Sequence, residues 1–370
     1  LIFNQTIKTK DDNRMNKERA IILTNGLLDT EFAKTCHGLL RGTDRYEVLA
    51  VIDYAYAGED PGEIMEGKPN GIPIYASIAD FYAHEAEAPR WCIVGVAFPG
   101  GSLPEEFRQE ILTAIDRGLS VVCGLHTLLS EDPEFSALAR ERGVQLLDIR
   151  KPRPARELKF WTGEIYQVTT PRIAVLGIDC AVGKRTTCRF LMEACRAQGI
   201  QAEMIYTGQT GWMQGYRHGF IFDATLNDFI SGEIERVIVE CEHVTKPDLM
   251  LLEGQASLQN PAGPCGSEFL LSGNIKGVVL QHIPGRTFYD DTKVPLNSLD
   301  SEIELIRFYG AEVLAITLNG EDMTPEELIE YQQELQERLK LPVVRPLEEG
   351  VDALVPVVRR FMQRDKAPVK

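Results

Sequence analysis

The residues best placed to do chemistry lie in one run, G-I-D-C-A-V-G-K-R-T-T at positions 177–187. An apolar stretch, Arg172–Gly177, precedes it and reads as a buried strand. Lys184 opens a helical pattern that continues through Phe190, Leu191, Ala194 and Cys195. Between strand and helix, successive backbone N–H groups and the positive end of the helix can surround a phosphate, and the Lys184 ammonium can reach its terminal oxygens. The residues expected to hold the bound group are therefore Gly177, Asp179, Cys180, Ala181, Val182, Gly183, Lys184, Arg185, Thr186 and Thr187. Cys180 reads mainly as a small residue filling the turn.

The loop departs from the common G-x-x-x-x-G-K-[ST] form in two ways. Gly177 lies one residue too early, and Arg185 stands where a metal-binding hydroxyl normally follows the lysine. A magnesium ion would have to take its hydroxyl from Thr186 or Thr187. The G-x-D-x-x-V-G-K spacing resembles dethiobiotin synthetase and related carboxylate–amine ligases.

Ligands in open α/β sheets meet the carboxyl ends of the strands, so the residues closing each strand are the next candidates. Tyr206-T-G-Q-T-G-W-M213 supplies Gly208 and Thr210 to a bound cofactor. The apolar run D-L-M-L-L-E ends in Glu253, a Walker-B-like carboxylate that, with Asp223 and Thr186, is expected to hold magnesium. His282 closes another strand as a proton-transfer candidate, and Arg286 follows it as a clamp for a carboxylate or phosphate. Asn319, before Gly320, sits where an amide reads an adenine edge. The catalytic set is thus Lys184, Glu253, His282 and Arg286.

These positions require a parallel sheet with helices on both faces. Apolar runs at Arg172–Gly177, Ala202–Tyr206, Asp248–Glu253, Gly277–His282, Val313–Asn319 and Pro342–Arg345 alternate with helical stretches at Glu302–Tyr309, Thr324–Leu339 and Val351–Met362. The first half alternates likewise, with strands at Ala20–Thr24, Val48–Asp53, Cys92–Phe98, Ser120–Gly124 and Gln145–Ile149, and helices at Pro104–Arg117 and Glu134–Arg142. The expected fold is α/β, with two doubly wound parallel-sheet domains: Rossmann-like over 19–150 and P-loop over 171–370. An arm over 1–18 precedes them and a proline-rich linker, 151–170, joins them. The turn after the first strand, N-G-L-L-D-T at 25–30, lacks G-x-G-x-x-G, so a nicotinamide cofactor is not supported; Asp53 stands where a ribose-binding acid would.

The chain has 370 residues, 39 basic and 55 acidic, for a formal charge of −16. That balance argues against nucleic acid or an anionic membrane as partner, and no apolar run approaches a membrane span. Eight scattered cysteines without a C-x-x-C pair point to reduced thiols and a cytoplasmic setting. A homo-oligomer is expected on general grounds.

Taken together, G-I-D-C-A-V-G-K-R-T-T, T-G-Q-T-G-W-M, Asp223–Glu235, L-E-G-Q-A-S-L, P-G-G-S-L-P and G-L-H-T-L-L resemble a two-domain bacterial family long of unknown function. The resemblance implies a Rossmann-like N-terminal domain and a P-loop C-terminal domain. Members are linked to N-acetylation of D-glutamate, which implies an acetyl-CoA donor and a small anionic amino acid as acceptor. Coenzyme A carries an adenosine diphosphate portion, so the loop can serve CoA as readily as ATP. His282, Asp179 or Glu253 would then be the base, and Arg286 would hold the acceptor carboxylate. Two other readings stand beside it: an ATP- and magnesium-dependent ligase or kinase, and a nucleotide-dependent sensor without turnover.

Overall fold

A computed structural model of the chain describes residues 17–85 and 88–365. They divide into two compact units, one made of residues up to Lys151 with Met213–Gly215, the other of Pro152–Trp212 with the residues from Tyr216 onward. All but the last two residues of the expected N-terminal arm lie outside the described residues, and Glu18 already belongs to the first strand.

The first unit holds β1 (Glu18–Leu23), β2 (Tyr46–Ile52), β3 (Ile74–Tyr75), β4 (Trp91–Val94), β5 (Ser120–Cys123) and β6 (Leu146–Asp148). They form one all-parallel sheet in the order β3-β2-β1-β4-β5-β6, the Rossmann order. Its helices are α1 (Lys34–Leu40), α2 (Pro61–Glu66), α3 (Ile78–His84), α4 (Arg108–Asp116) and α5 (Pro133–Arg142). Asp53, past the end of β2, is fully committed to this unit. Its Oδ2 accepts from Thr24 Oγ1 at 2.7 Å, Gly26 N at 2.9 Å and Leu28 N at 3.1 Å, and its Oδ1 from Ala55 N at 3.0 Å. It stitches the β1 turn rather than presenting a carboxylate to a ribose.

The second unit holds β7 (Arg172–Gly177), β8 (Ala202–Tyr206), β9 (His218–Gly219), β10 (Leu249–Glu253), β11 (Gly277–His282), β12 (Glu312–Leu318) and β13 (Val343–Val344). Their order is β13-β12-β11-β7-β10-β8-β9, again all parallel. The helices are α6 (Lys184–Ala197), α7 (Gln209–Gln214, its first four residues in this unit), α8 (Ile230–Val244), α9 (Ser267–Leu271), α10 (Leu299–Phe308), α11 (Pro325–Leu339) and α12 (Val355–Asp365). Strand alternation divides the core. Ala174, Met250, Leu252, Val278 and Leu280 face α8, α10 and α11, while Ile173, Val175, Leu249, Leu251 and Val279 face α6 and α12. The centre of the sheet is β7, so the ends of β10 and β11 flank the loop that follows it.

The segment read as a linker is bound to α8. Glu235 accepts hydrogen bonds from Thr162 N (2.6 Å), Thr162 Oγ1 (2.9 Å), Gly163 N (2.7 Å) and Ile165 N (3.1 Å). Glu233 accepts from Lys159 N at 3.0 Å and pairs with Arg153 and Arg236. Both glutamates are buried, and a Cβ on Gly232 would meet Lys159 O at 1.9 Å, so the strap crosses bare backbone there. Glu235→Ala leaves the Thr162, Gly163 and Ile165 donors without this acceptor and should cost about 1–3 kcal/mol, read as a lowered midpoint in urea unfolding. An unchanged midpoint would show that the strap adds nothing to the fold.

Candidate active site

The loop after β7 is fixed from beneath by one carboxylate. Asp179 is completely buried. Its Oδ1 accepts from Cys180 N at 2.7 Å and Asn260 Nδ2 at 2.8 Å; its Oδ2 accepts from Asp290 N at 2.7 Å and Arg286 Nη1 at 3.0 Å. Arg286 also donates to Cys180 O at 2.9 Å and Glu321 Oε1 at 2.9 Å. Burial works against its charge, but the bonds to Glu321 and Asp179 prevail and raise its pKa. Asp179, one of the candidate bases, has its acceptor positions filled by the protein, and Arg286, the candidate carboxylate clamp, braces the loop.

Ala181 and Gly183 turn the loop with φ of 54° and 107°. At Gly177 a Cβ would sit 2.8 Å from Val182 Cγ2 and 3.0 Å from Lys184 Cδ, so glycine lets the lysine stem cross the strand end. Lys184 is buried, its Nζ donating to Asp179 O and, at 3.0 Å, to Ala256 O. Burial lowers its pKa, against the influence of Cys180, Asp179, Cys265 and Glu253. The first intrahelical bond of α6 runs from Thr187 N to Gly183 O at 3.0 Å. The amides ahead of it, at Lys184, Arg185 and Thr186, are those a helix N-terminus directs at an anion.

Glu253 ends β10, beside β7, on the α6 face of the sheet. It is buried, with Oε2 accepting from Thr207 N at 3.0 Å, while its backbone oxygen accepts from Thr207 Oγ1 at 2.7 Å. Burial raises its pKa; Arg185, the Thr207 and Gly208 amides and Lys184 oppose that rise. Gly254 must be glycine because a Cβ would lie 2.5 Å from Val175 O.

Of the two threonines, Thr187 is buried and bonded to Gln281 Oε1 at 2.6 Å, leaving Thr186, half-exposed in the first turn, as the hydroxyl for a metal. Asp223 lies exposed in a 3₁₀ turn, one residue beyond Phe222, whose N–H bonds Thr207 O at 2.9 Å. Among the described residues, no group of three or more His, Cys, Asp or Glu could hold a metal ion. Gly208 is half-exposed and Thr210 buried. Asn319 spends its amide on the loop, Nδ2 donating to Val182 O at 3.2 Å and Oδ1 accepting from Glu321 N at 3.0 Å. Cys180 is half-buried, its sulfur 3.9 Å from Asn260 Nδ2; none of the eight cysteines, all among the described residues, is in a disulfide.

His282 is not in this site. Alternation puts Gln281 towards α6, where its Oε1 accepts from Thr187 and, at 2.7 Å, from Thr317 Oγ1. It turns His282 to the opposite face, where Nε2 bonds Tyr331 OH of α11 at 2.8 Å. Gln281 was overlooked because the adjacent histidine carried the more reactive group. Asn260 was overlooked too, along with Glu302 of α10, which accepts from Leu258 N and Gln259 Nε2, both at 2.8 Å, and so fixes the loop presenting Asn260. Their local sequence gives no phosphate-site signal; only the fold brings Asn260 to Asp179 and Glu302 to the loop that carries it.

The second unit is therefore a P-loop domain of an α/β protein with two all-parallel sheets, and no described helix is long and apolar enough to cross a membrane. The chain belongs to the DUF1611 family. Residues 159–355 match its P-loop domain and residues 55–152 its Rossmann-like domain, both described as domains of unknown function. A D-glutamate N-acetyltransferase of Pseudoalteromonas sp is 33% identical over 273 residues, covering 71% of this chain and 79% of that protein. Another, from Tritonibacter scottomollicae, is 29% identical over 279 residues, covering 73% and 81%. The crystal structure of a DUF1611 protein from Anabaena variabilis superposes with a TM-score of 0.84 at 28% identity, covering 93% of this chain and 100% of that one.

Burial holds His282 neutral and depresses its pKa from 6.5 to about 4, with Arg338 adding to the effect. Below 6.5 the unfolded chain binds the proton first, so stability is full above that pH and falls as pH drops towards 4. His282→Gln keeps a partner for Tyr331 and removes this titration. Its loss of unfolding free energy between pH 7 and pH 4 should be smaller than the wild type's by about 3 kcal/mol; identical acid profiles would refute the burial argument.

Proposed function

We propose that this protein is an N-acyltransferase that transfers an acetyl group from acetyl-CoA to the amine of a small anionic amino acid, with D-glutamate the first acceptor to test. The observation that carries the reading is Glu253: a buried carboxylate of raised pKa, closing the strand beside the phosphate loop. The names of the two relatives support the same chemistry.

The loop suits a pyrophosphate. Gly177 clears the lysine stem, Gly183 opens α6, and Lys184 and Arg185 add two positive charges to the helix end. Acetyl-CoA, when bound, supplies the thioester-activated acyl group and the pyrophosphate that fits this loop. A carboxyl of raised pKa is a stronger base than an exposed glutamate, and Glu253 takes a proton from the acceptor ammonium. Thr207 N–H holds one carboxyl oxygen of Glu253, while the Thr207 hydroxyl holds its backbone carbonyl. The Walker-B-like place of Glu253 and the half-exposed Thr186 hydroxyl support a second reading, magnesium-dependent ligation.

Release of CoA thiol from acetyl-CoA should require D-glutamate and continue in EDTA without ATP. Glu253→Gln should lower kcat by roughly 10²–10⁴-fold. The same variant should unfold at a higher temperature at neutral pH. A carboxyl whose pKa is raised by folding loses stability as pH climbs through that value, and the amide has no such loss. Product formed only with ATP and magnesium would overturn acyl transfer in favour of ligation.

A further inference from the structure

The strap bound to α8 buries two apolar side chains, Leu158 and Ile165, and leaves its aromatic rings in solvent. Phe160 is 64% exposed, Trp161 40% and Tyr166 67%. Phe160 packs against Phe229, ring centroids 4.5 Å apart, and Phe229 N donates to the backbone oxygen of Leu226 at 2.9 Å; Leu226 is itself exposed. Trp161 meets Tyr166 edge-on at 5.9 Å, and its Nε1 donates to Ser272 O at 3.1 Å, next to the exposed Leu271 at the end of α9. These contacts gather the strap, the turn before α8 and the end of α9 into one face of the second unit.

The backbone beneath the rings is fixed in advance. The amides of Lys159, Thr162, Gly163 and Ile165 are all held by the buried carboxylates of Glu233 and Glu235, and Gly163 turns the chain between Trp161 and Tyr166 with φ of 88°. Rings so ordered have little freedom left to lose on association. The three of them leave roughly 350 Å² open, and the two leucines extend that area. A patch of a few hundred Å² marks an interaction site, and this one suffices as the apolar centre of the roughly 800 Å² that each partner contributes to a stable dimer.

The charges at its edge select the occupant. Lys159 precedes the aromatic pair, Glu164 follows it, and Asp228 adjoins Phe229, all three exposed. Nucleic acid or an anionic membrane needs a uniformly basic rim; a rim of both signs suits a surface that pairs with itself, as two-fold symmetry requires. An axis passing between Trp161 and Thr162 would set the basic side of one strap against the acidic side of the other. We propose that this face is a two-fold interface with a second copy of the chain, centred on Phe160, Trp161 and Tyr166, with Lys159 opposite Glu164 of the partner subunit. The interface stands independently of the acyl-transfer reading.

Sedimentation velocity of the full chain over a range of micromolar concentrations tests it. The wild type should sediment at twice the chain mass. Phe160→Glu and Tyr166→Glu should each weaken dimerisation at least tenfold, about 1.4 kcal/mol, while keeping a cooperative urea transition. Lys159→Glu should weaken it too, and adding Glu164→Lys to that variant should restore the dimer, a recovery that a damaged fold would not show. A monomeric wild type would overturn the proposal, as would a dimer that Phe160→Glu and Tyr166→Glu leave intact. A double charge exchange that fails to restore association would overturn the two-fold pairing of the straps.

Discussion

Much of the site depends on one buried carboxylate accepting four hydrogen bonds. Asp179 joins its own loop through Cys180, the segment after β10 through Asn260, and the segment after β11 through Arg286 and Asp290. Removing one partner from a buried, charged pair typically costs 3–5 kcal/mol, so these segments are held together. Lys184 and Asn319 then tie the loop to Ala256 and to the end of β12. The cradle is made rigid largely by protein–protein bonds, which is what a site that must hold an anion in one place requires.

Strand alternation decides which strand-end residues take part. Odd positions on β7, β10 and β11 face α6 and even positions face α8, α10 and α11. Glu253 and Gln281 fall on the loop's helix face, and His282 falls on the other, packed against Tyr331. A single step along β11 separates a residue that fixes Thr187 from one that contributes only to the core and to acid sensitivity. Proximity in sequence to the site is therefore no guide to function here; the parity of the position is.

The same rule explains what could be read beforehand. The central strands were legible because β7, β10 and β11 are continuous apolar runs, as sheets covered on both faces require. The two-residue strands β3 and β9 are too short to show a period. Helix α8 was missed although Ile230, Ile234, Val237, Ile238 and Cys241 follow helical spacing, because buried Glu233 and Glu235 interrupt the apolar face. Those acids bind the strap, a tertiary reason no local pattern reveals. The positions of Lys184 at the start of α6 and Glu253 at the end of β10 were legible from loop spacing and strand end. The roles of Asp179, Arg286 and Asn319 were not, since whether a polar group meets ligand or protein depends on partners 81 to 137 residues away.

Glu253 stands apart from the other buried acids of this unit. Glu233 and Glu235 are paired or bonded to several donors and serve the fold. Glu253 has Thr207 and Gly208 amides and nearby cations, yet burial still prevails and raises its pKa. A structural carboxylate gains nothing from that residual penalty, which an amide or an apolar side chain would avoid. It becomes useful only when the group must accept a proton near neutral pH. That residual penalty, at a strand end beside the phosphate loop, is the physical ground for proposing the chemistry there.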